Sequence, residues 1–434
     1  MRGRGKNGLQ DVDMFGDDIY SSQNRAEKAK GKSKKRVPKS TRTKAREKRM
    51  RLLRNRAVLI IAGVVILALL VVLFTVMFKG CGNSPSKVVN VSTETKFKQE
   101  ARKATPSEAT PNGGSSSGGE SKKSASSFKT PNITDDNSPA EVYGECCVWN
   151  STGFLRFVPD QGSAEAYASA VNSLAEQAPS VNFYNMVVPS STELCLPDRL
   201  KTGDFTTSSQ AEFITSVNNA LSDKVKSVNA YDSLVDHNND YIYYKSDDNW
   251  TDLGAYYGYD AFAKATGQTP LDLANCEDKT IEGFYGSYSL YTAVPGEDTV
   301  HYRVLPYEAP MDVTDQNGVS YTNPSPYYEA ATSGSFTYGV FLVGDNPLCV
   351  IRSSSPAAQK DKKLLVVKED YGDAIAPYLS YNYGEVHVID YRYFDSMGMK
   401  FSDYCSQNGI TDVLVINDVK SAGSQTQIGS LSAI

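Results

Sequence analysis

The chain has 434 residues, with 45 Lys and Arg against 50 Asp and Glu for a net charge of −5. That length allows two or three domains, but the charge is segregated: residues 1–56 sum to +13, whereas residues 141–434 carry 17 basic and 38 acidic residues, a balance of −21. So acidic a carboxyl half repels nucleic acid and other anionic polymers and leaves a neutral glycan open as a ligand.

In chain order, residues 1–56 are poor in apolar side chains and rich in like charge, as in KAKGKSKKRVPKSTRTKAREKRMRLLRNR. Such a segment buries too little surface to offset its ordering entropy, so a disordered tail is predicted. Its expected partners are the anionic membrane surface and a cytoplasmic protein, not nucleic acid. Ala57–Phe78, AVLIIAGVVILALLVVLFTVMF, holds no charge and no proline. As a helix it measures ~33 Å, enough for the ~30 Å hydrocarbon core. It begins after 56 polar residues, so a single transmembrane helix is expected in place of a cleaved leader. The basic excess on its amino side predicts a cell-membrane protein, amino terminus cytoplasmic and carboxyl domain extracytoplasmic.

Residues 79–140, with NGGSSSGGESKKSASS, read as a flexible extracytoplasmic linker. The folded domain is expected over 141–420. There SAEAYASAVNSLAEQ, SSQAEFITSVNNALSD and TDLGAYYGYDAFAKATG have helical period, the last starting near Thr251, and VNFYNMVVP reads as a strand. Further on, LLVVK, EVHVID and TDVLVIND read as strands, separated by AIAPYLSYNYG, a helix ended by Gly384, and FSDYCSQNG, a helix ended by Gly409. Apolar strands alternating with helices predict a parallel sheet covered on both faces. Residues 276–360, rich in Tyr, Thr, Ser and Gly, are expected as a β-rich insertion, and 421–434 as a loose tail. Of seven cysteines, six fall between Cys146 and Cys405; scattered in an oxidising exterior, they allow one to three disulfides or a set of buried thiols.

The stretch YIYYKSDDNWTDLGAYYGYDAF, residues 241–262, carries the chemistry-bearing pattern. It resembles the signature of the DHHW family, roughly YYxTDHHWTxxGAYxAYxxF. Downstream, LLVVKEDYGDAIAPYLSYNYGEVHVIDYRYF resembles that family's second block, KDSYxxxFxPFL followed by a strand and an Asp-x-Arg-Tyr-Phe turn, and YNMVVPSSTELCLPDRL fits its early strand and loop. The resemblance implies an α/β domain of SGNH-like, flavodoxin-like type, with a three-layer parallel sheet and a Ser nucleophile served by an Asp-x-His pair. The family is similar to acetyltransferases that decorate exopolysaccharides. In such a site the imidazole deprotonates the serine and the carboxylate fixes the imidazole's tautomer.

Carried over by position, Asp247 holds the motif's Asp, Asp248 the first His, Asn249 the second, and Trp250 the Trp, while Glu369 and Asp370 hold the Asp and Ser of the second block. The base has thus become an amide, which has no titration near neutral pH, and the nucleophile a carboxylate. The degenerate positions are Asp247, Asn249 and Asp370; Asp248, Trp250, Glu369 and Tyr371 are the ligand-binding candidates. No cofactor is expected. A carboxylate cluster for a hard cation, a carboxylate pair for glycosidic cleavage, and plain helix caps at Asp247, Asp248, Glu369 and Asp370 stay open, although no metal-loop spacing is present. The chain's three histidines are His237, His301 and His387, none at the family's base position. The expectation is therefore a non-catalytic DHHW-family protein of the bacterial envelope that binds or scaffolds a wall or capsule glycan. The alternative is an active polysaccharide O-acetyltransferase or esterase with a displaced base.

Overall fold

The computed structural model describes residues 128–290, 297–331 and 337–434. The tail at 1–56 and the apolar run at 57–78 lie outside the described residues, as does most of the linker. Among the described residues no helix is long and apolar enough to cross a membrane.

In chain order, a small antiparallel meander comes first: β1 (Glu141–Tyr143), β2 (Cys146–Trp149) and β3 (Thr152–Leu155). There follow α1 (Ser163–Gln177), β4 (Asn182–Val188), α2 (Ser191–Leu194), α3 (Gln210–Ala220), β5 (Val225–Ser227), α4 (Ala230–Val235) and α5 (Asp252–Ala265). The β-rich stretch contributes a hairpin, β6 (Glu277–Phe284) and β7 (Asp298–Val304), then β8 (Met311–Thr314), β9 (Ser320–Asn323) and β10 (Leu348–Arg352). The chain closes with β11 (Gln359–Lys368), α6 (Tyr371–Leu379), β12 (Tyr383–Asp390), α7 (Phe401–Asn408), β13 (Asp412–Asp418), α8 (Val419–Ala422) and α9 (Gln425–Ala433).

The central sheet has eight strands in the order β5-β4-β13-β11-β12-β10-β8-β9. Its first five strands are parallel and its last three join antiparallel. This corrects the expected wholly parallel sheet: three insertion strands extend it past β12, and a tight turn such as that between β8 and β9 can join only antiparallel neighbours. The parallel order is also not the flavodoxin-like one, because β13, last in sequence, lies between β4 and β11. Alternate residues of β4 face opposite layers. The Phe183 ring lies 6.2 Å from Phe401 of α7, and the Tyr184 ring meets Phe262 of α5 edge-on at 5.3 Å. With both faces covered, Leu364–Val367 can be apolar without alternation, and all four are fully buried. A buried pair ties the insertion to this layer: Arg303 of β7 meets the Asp252 carboxylate, which also accepts from the Tyr378 hydroxyl at 2.7 Å.

Three further expectations change, and one alternative left open is decided. Gly384 does not end a helix: α6 stops at Leu379, and Gly384 lies in β12, where a Cβ would stand 2.7 Å from the Lys360 carbonyl oxygen of β11. Residues 425–433 are no loose tail, because Ile428 and Leu431, one turn apart, are buried as α9 packs on α1. The end of the linker, 128–140, lies along the domain: Phe128 stacks on Tyr231 at 4.6 Å, Lys129 pairs with Asp236, and Asp135 with Arg199. Finally, the six cysteines among the described residues are all free, and four of them are buried thiols.

Candidate functional site

The stretch Tyr243–Trp250 closes on itself. Tyr243 and Trp250 form an antiparallel bridge, and the Tyr244 amide donates to the Asn249 carbonyl at 3.3 Å. Thr251 then starts α5, its hydroxyl accepting from the Gly254 amide at 3.3 Å. Asp247 and Asp248 are thus not the caps of that helix, since Thr251 fills the role. Trp250 is fully buried against α5, where a Cβ on Gly258 would stand 2.7 Å from the indole.

On the opposite side, β11 ends at Lys368 and the chain turns through Glu369 and Asp370 into α6. Asp370 flanks that helix but makes no side-chain cap. Two hydrogen bonds join the blocks: the Trp250 indole N–H donates to the Tyr371 carbonyl at 3.0 Å, and the Tyr371 hydroxyl donates to the Asp248 carbonyl. The indole and phenol rings lie 5.3 Å apart. Segments more than 120 residues apart in sequence are therefore packed against each other.

At this junction, Asp247 is buried and uses both oxygens. Oδ1 accepts from the Asn249 backbone and side-chain amides, each at 2.9 Å, and Oδ2 from the Ser287 amide at 2.6 Å. Burial, reinforced by the charge of Asp248, pushes the Asp247 carboxyl up to about 6. The Asn249 side chain thus donates to the carboxylate where the resemblance would have an imidazole N–H, and its own Oδ1 is buried without a partner. An amide so placed can donate and accept hydrogen bonds but cannot carry a proton away.

Asp248 is more open. It accepts from the Ser287 hydroxyl at 3.0 Å and pairs with Lys420 of α8 at 2.7 Å. Glu369 is buried, its oxygens taking the Asp418 amide at 2.9 Å and the Tyr371 amide at 3.1 Å. Burial and the neighbouring Asp370 push Glu369 well above the usual carboxylate range. Burial also works against Asp370, yet its hydrogen bond with Glu369 and the charges of Arg392 and Lys368 outweigh it and bring the group down to about 2. The two adjacent acids are thus pushed in opposite directions, Glu369 up and Asp370 down.

Behind Asp370 lies a buried ionic cluster. Lys368 meets Asp373 at 2.6 Å and Asp390 at 2.9 Å; Arg392 reaches Asp390 and Asp345 at 2.6 Å each and Asp370 at 3.5 Å. Asp370 thus lies at the edge of this cluster, reached by the Arg392 guanidinium at 3.5 Å.

Among the described residues, none of the three imidazoles meets a serine. His237 contacts Asp240 at 3.1 Å and stacks on Tyr257 at 3.6 Å; His301 faces Asp278; His387 lies in the sheet between Tyr404 and Glu385, with burial pushing it below the usual imidazole value. The structure brings the segment holding Asp247, Asp248, Asn249 and Trp250 against the one holding Glu369, Asp370 and Tyr371. The motif missed Ser287 and Lys420, which follow Asp248 by 39 and 172 residues, as well as Asp418 and Arg392. Only Arg392 had a sequence signal, in the IDYRYF turn.

Comparison with known proteins bears on the family and the fold. The profile described as DHHW protein matches residues 134–389. A DHHW family protein from Eubacterium siraeum DSM 15702 superposes with a TM-score of 0.60, at 27% identity over 68% of this chain and 97% of that one. PatB1 from Bacillus cereus, solved with a sulfonyl adduct, superposes at 0.53, with 19% identity over 68% of this chain and 99% of that one. No curated protein sequence matches. The fold is thus an α/β domain built on a central mixed sheet, similar to that of PatB1, and the candidate site lies where the 244–249 loop meets the start of α6. By the profile match over more than half its length, the chain belongs to the DHHW family.

Proposed function

We propose that this DHHW-family chain is anchored in the bacterial cell membrane by residues 57–78 and displays an outer domain that binds or scaffolds a cell-wall or capsule glycan without catalysing acyl transfer. The observation that carries this reading is the Asn249 amide, fastened to Asp247 through the bond an imidazole would need. The Asp370 carboxylate, reached by Arg392 at 3.5 Å, supports it. With base and nucleophile both replaced, the family mechanism lacks its proton acceptor and its attacking hydroxyl; loss of a single triad member already costs ~10⁴ or more in rate. The rival, an active O-acetyltransferase or esterase with a displaced base, would have to recruit His237, whose nearest polar partner is Asp240.

The test uses the sulfonyl chemistry seen on PatB1. The full-length chain in detergent is incubated with a sulfonyl fluoride and weighed intact, then assayed on an activated acyl ester. No adduct and no turnover above the Asp370→Asn variant are expected. A stoichiometric serine adduct, or turnover abolished by His237→Ala, would overturn the non-catalytic reading. Co-sedimentation with purified walls tests the glycan half separately.

A further inference from the structure

Away from the motif residues, a groove of about 940 Å³ opens between the end of the linker and the domain, and none of Asp247–Trp250 or Glu369–Tyr371 borders it. It is bordered by Ala211 and Thr215 of α3 and Tyr231 of α4, and by Thr130, Pro131 and Ile133 of the linker end. Small-ligand sites span roughly 300–1,000 Å³, so the groove is large enough to be one.

The linker end is fastened at two points along this groove. At one, the Lys129 amide donates to Asp232 at 2.8 Å, the Lys129 ammonium meets Asp236 at 2.6 Å, and Phe128 stacks on Tyr231. At the other, Arg199 donates twice to Asp135, at 2.7 and 2.8 Å, and once to the Ser138 carbonyl at 2.7 Å. Between the two, among the described residues, a single hydrogen bond ties the linker to the domain, from the Asn238 side-chain amide to the Asn132 carbonyl at 3.1 Å. A segment seated for packing alone would fill the space beneath it, because folded interiors hold few voids larger than a water molecule. This one spans a hollow.

Charge around the hollow is neutralised within the chain. Asp135 pairs with Arg199, Lys129 with Asp236, and Asp198 with Lys201 at 3.0 Å. The first three amides of α3 are occupied: Glu193 accepts from Gln210 at 3.3 Å and from Ala211 at 3.2 Å, and the Ser209 hydroxyl accepts from Glu212 at 3.2 Å. An anion therefore finds no open helix end, and a cation finds all but one carboxylate already engaged. Left for a ligand are the Thr130 and Thr215 hydroxyls and the Glu212 carboxylate, whose side chains hold no partner among the described residues, beside the apolar Pro131, Ile133 and Ala211. Hydroxyls and an acceptor set among apolar side chains suit the hydroxyls and C–H faces of a sugar ring.

Building on the glycan-binding reading, we infer that the glycan is a neutral oligosaccharide received in this groove, between α3 and the linker end, so that sugar binding and the seating of residues 128–138 stabilise each other.

The test titrates the full-length chain in detergent with the N-acetylglucosamine tetramer by calorimetry, and follows amide exchange with the sugar at about ten times its Kd. Saturable binding is expected, with exchange of the Lys129 amide slowed about tenfold. Arg199→Ala, which unfastens one end of the linker, should weaken binding by about fivefold or more. Thr215→Trp, which fills the groove from α3, should abolish it, with Tm as the check that each variant folds. Binding that both variants keep, or that leaves Lys129 exchange unchanged, would overturn the inference. If the same binding were lost in Asp370→Asn, the sugar would belong at the motif site and glycan binding would stand. No binding of the tetramer would also overturn the inference; only failure to co-sediment with purified walls as well would take the glycan-binding reading with it.

Discussion

Replacing Asp418 by Asn should flatten the domain's stability against pH. Asp418 is 5% exposed, its Oδ1 accepts from the Ser421 amide at 2.7 Å to cap α8, and burial pushes its carboxyl up to about 6 from the ordinary 3.8. Asn caps equally well, so the local fold should survive. A carboxyl raised in the folded state keeps its proton to higher pH than in the unfolded chain. Its destabilisation is therefore absent below about pH 4, grows as pH climbs to about 6, and is complete above. A shift of about two units corresponds to about 3 kcal/mol at full ionisation. Between pH 7 and pH 5 the wild type should regain about 1.3 kcal/mol from this group alone. At roughly 2–4 °C per kcal/mol, that is a rise in Tm of about 3–5 °C which the variant lacks. Asp247 and Asp252, also up to about 6, act in the same direction, and His387 acts against them. All three are present in both proteins, so they cancel in the difference. Circular dichroism melts at pH 5, 6 and 7 would read it, and parallel Tm curves for variant and wild type would refute the reasoning.

Other perturbations probe the joined blocks. Trp250→Phe leaves the Tyr371 carbonyl unpaired and opens space beside α5, so the urea midpoint should drop by the equivalent of about 2–4 kcal/mol. Gly258→Ala forces a methyl against the indole and should lose about 1–3 kcal/mol in the same assay. Asn249→His combined with Asp370→Ser should restore labelling by a sulfonyl fluoride, because Asp247 Oδ1 already points at residue 249; intact mass would show it. On the linker, Lys129→Ala should cost under about 1 kcal/mol, since that pair is half exposed. Phe128→Ala should release the segment from Tyr231 and speed hydrogen exchange in α4.

Much of the fold was legible because it is written in local period. The alternation of SAEAYASAVNSLAEQ matches α1 from end to end, and the unbroken apolar run of β13 announces a strand buried on both sides. What period cannot carry is order across the sheet. Nothing in TDVLVIND says that it lies between β4 and β11, and nothing in the insertion says that β10 pairs with β12, because those choices are made by packing. Gly384 misled for a related reason: glycine often ends a helix, yet here it makes room for the β11 backbone. At the site, the motif drew attention to Asp247, Asp248, Asn249 and Asp370, while Lys420 and Ser287, the partners of Asp248, come from distant segments that no local pattern joins to it.

Because β13 sits mid-sheet, β4 and β11 each lack a neighbour until nearly the whole polypeptide is available. Synthesis must therefore run past β13 before this domain can become resistant to proteases. A chain that stopped before β13 would be left with an open, sticky half-sheet in place of a smaller working protein.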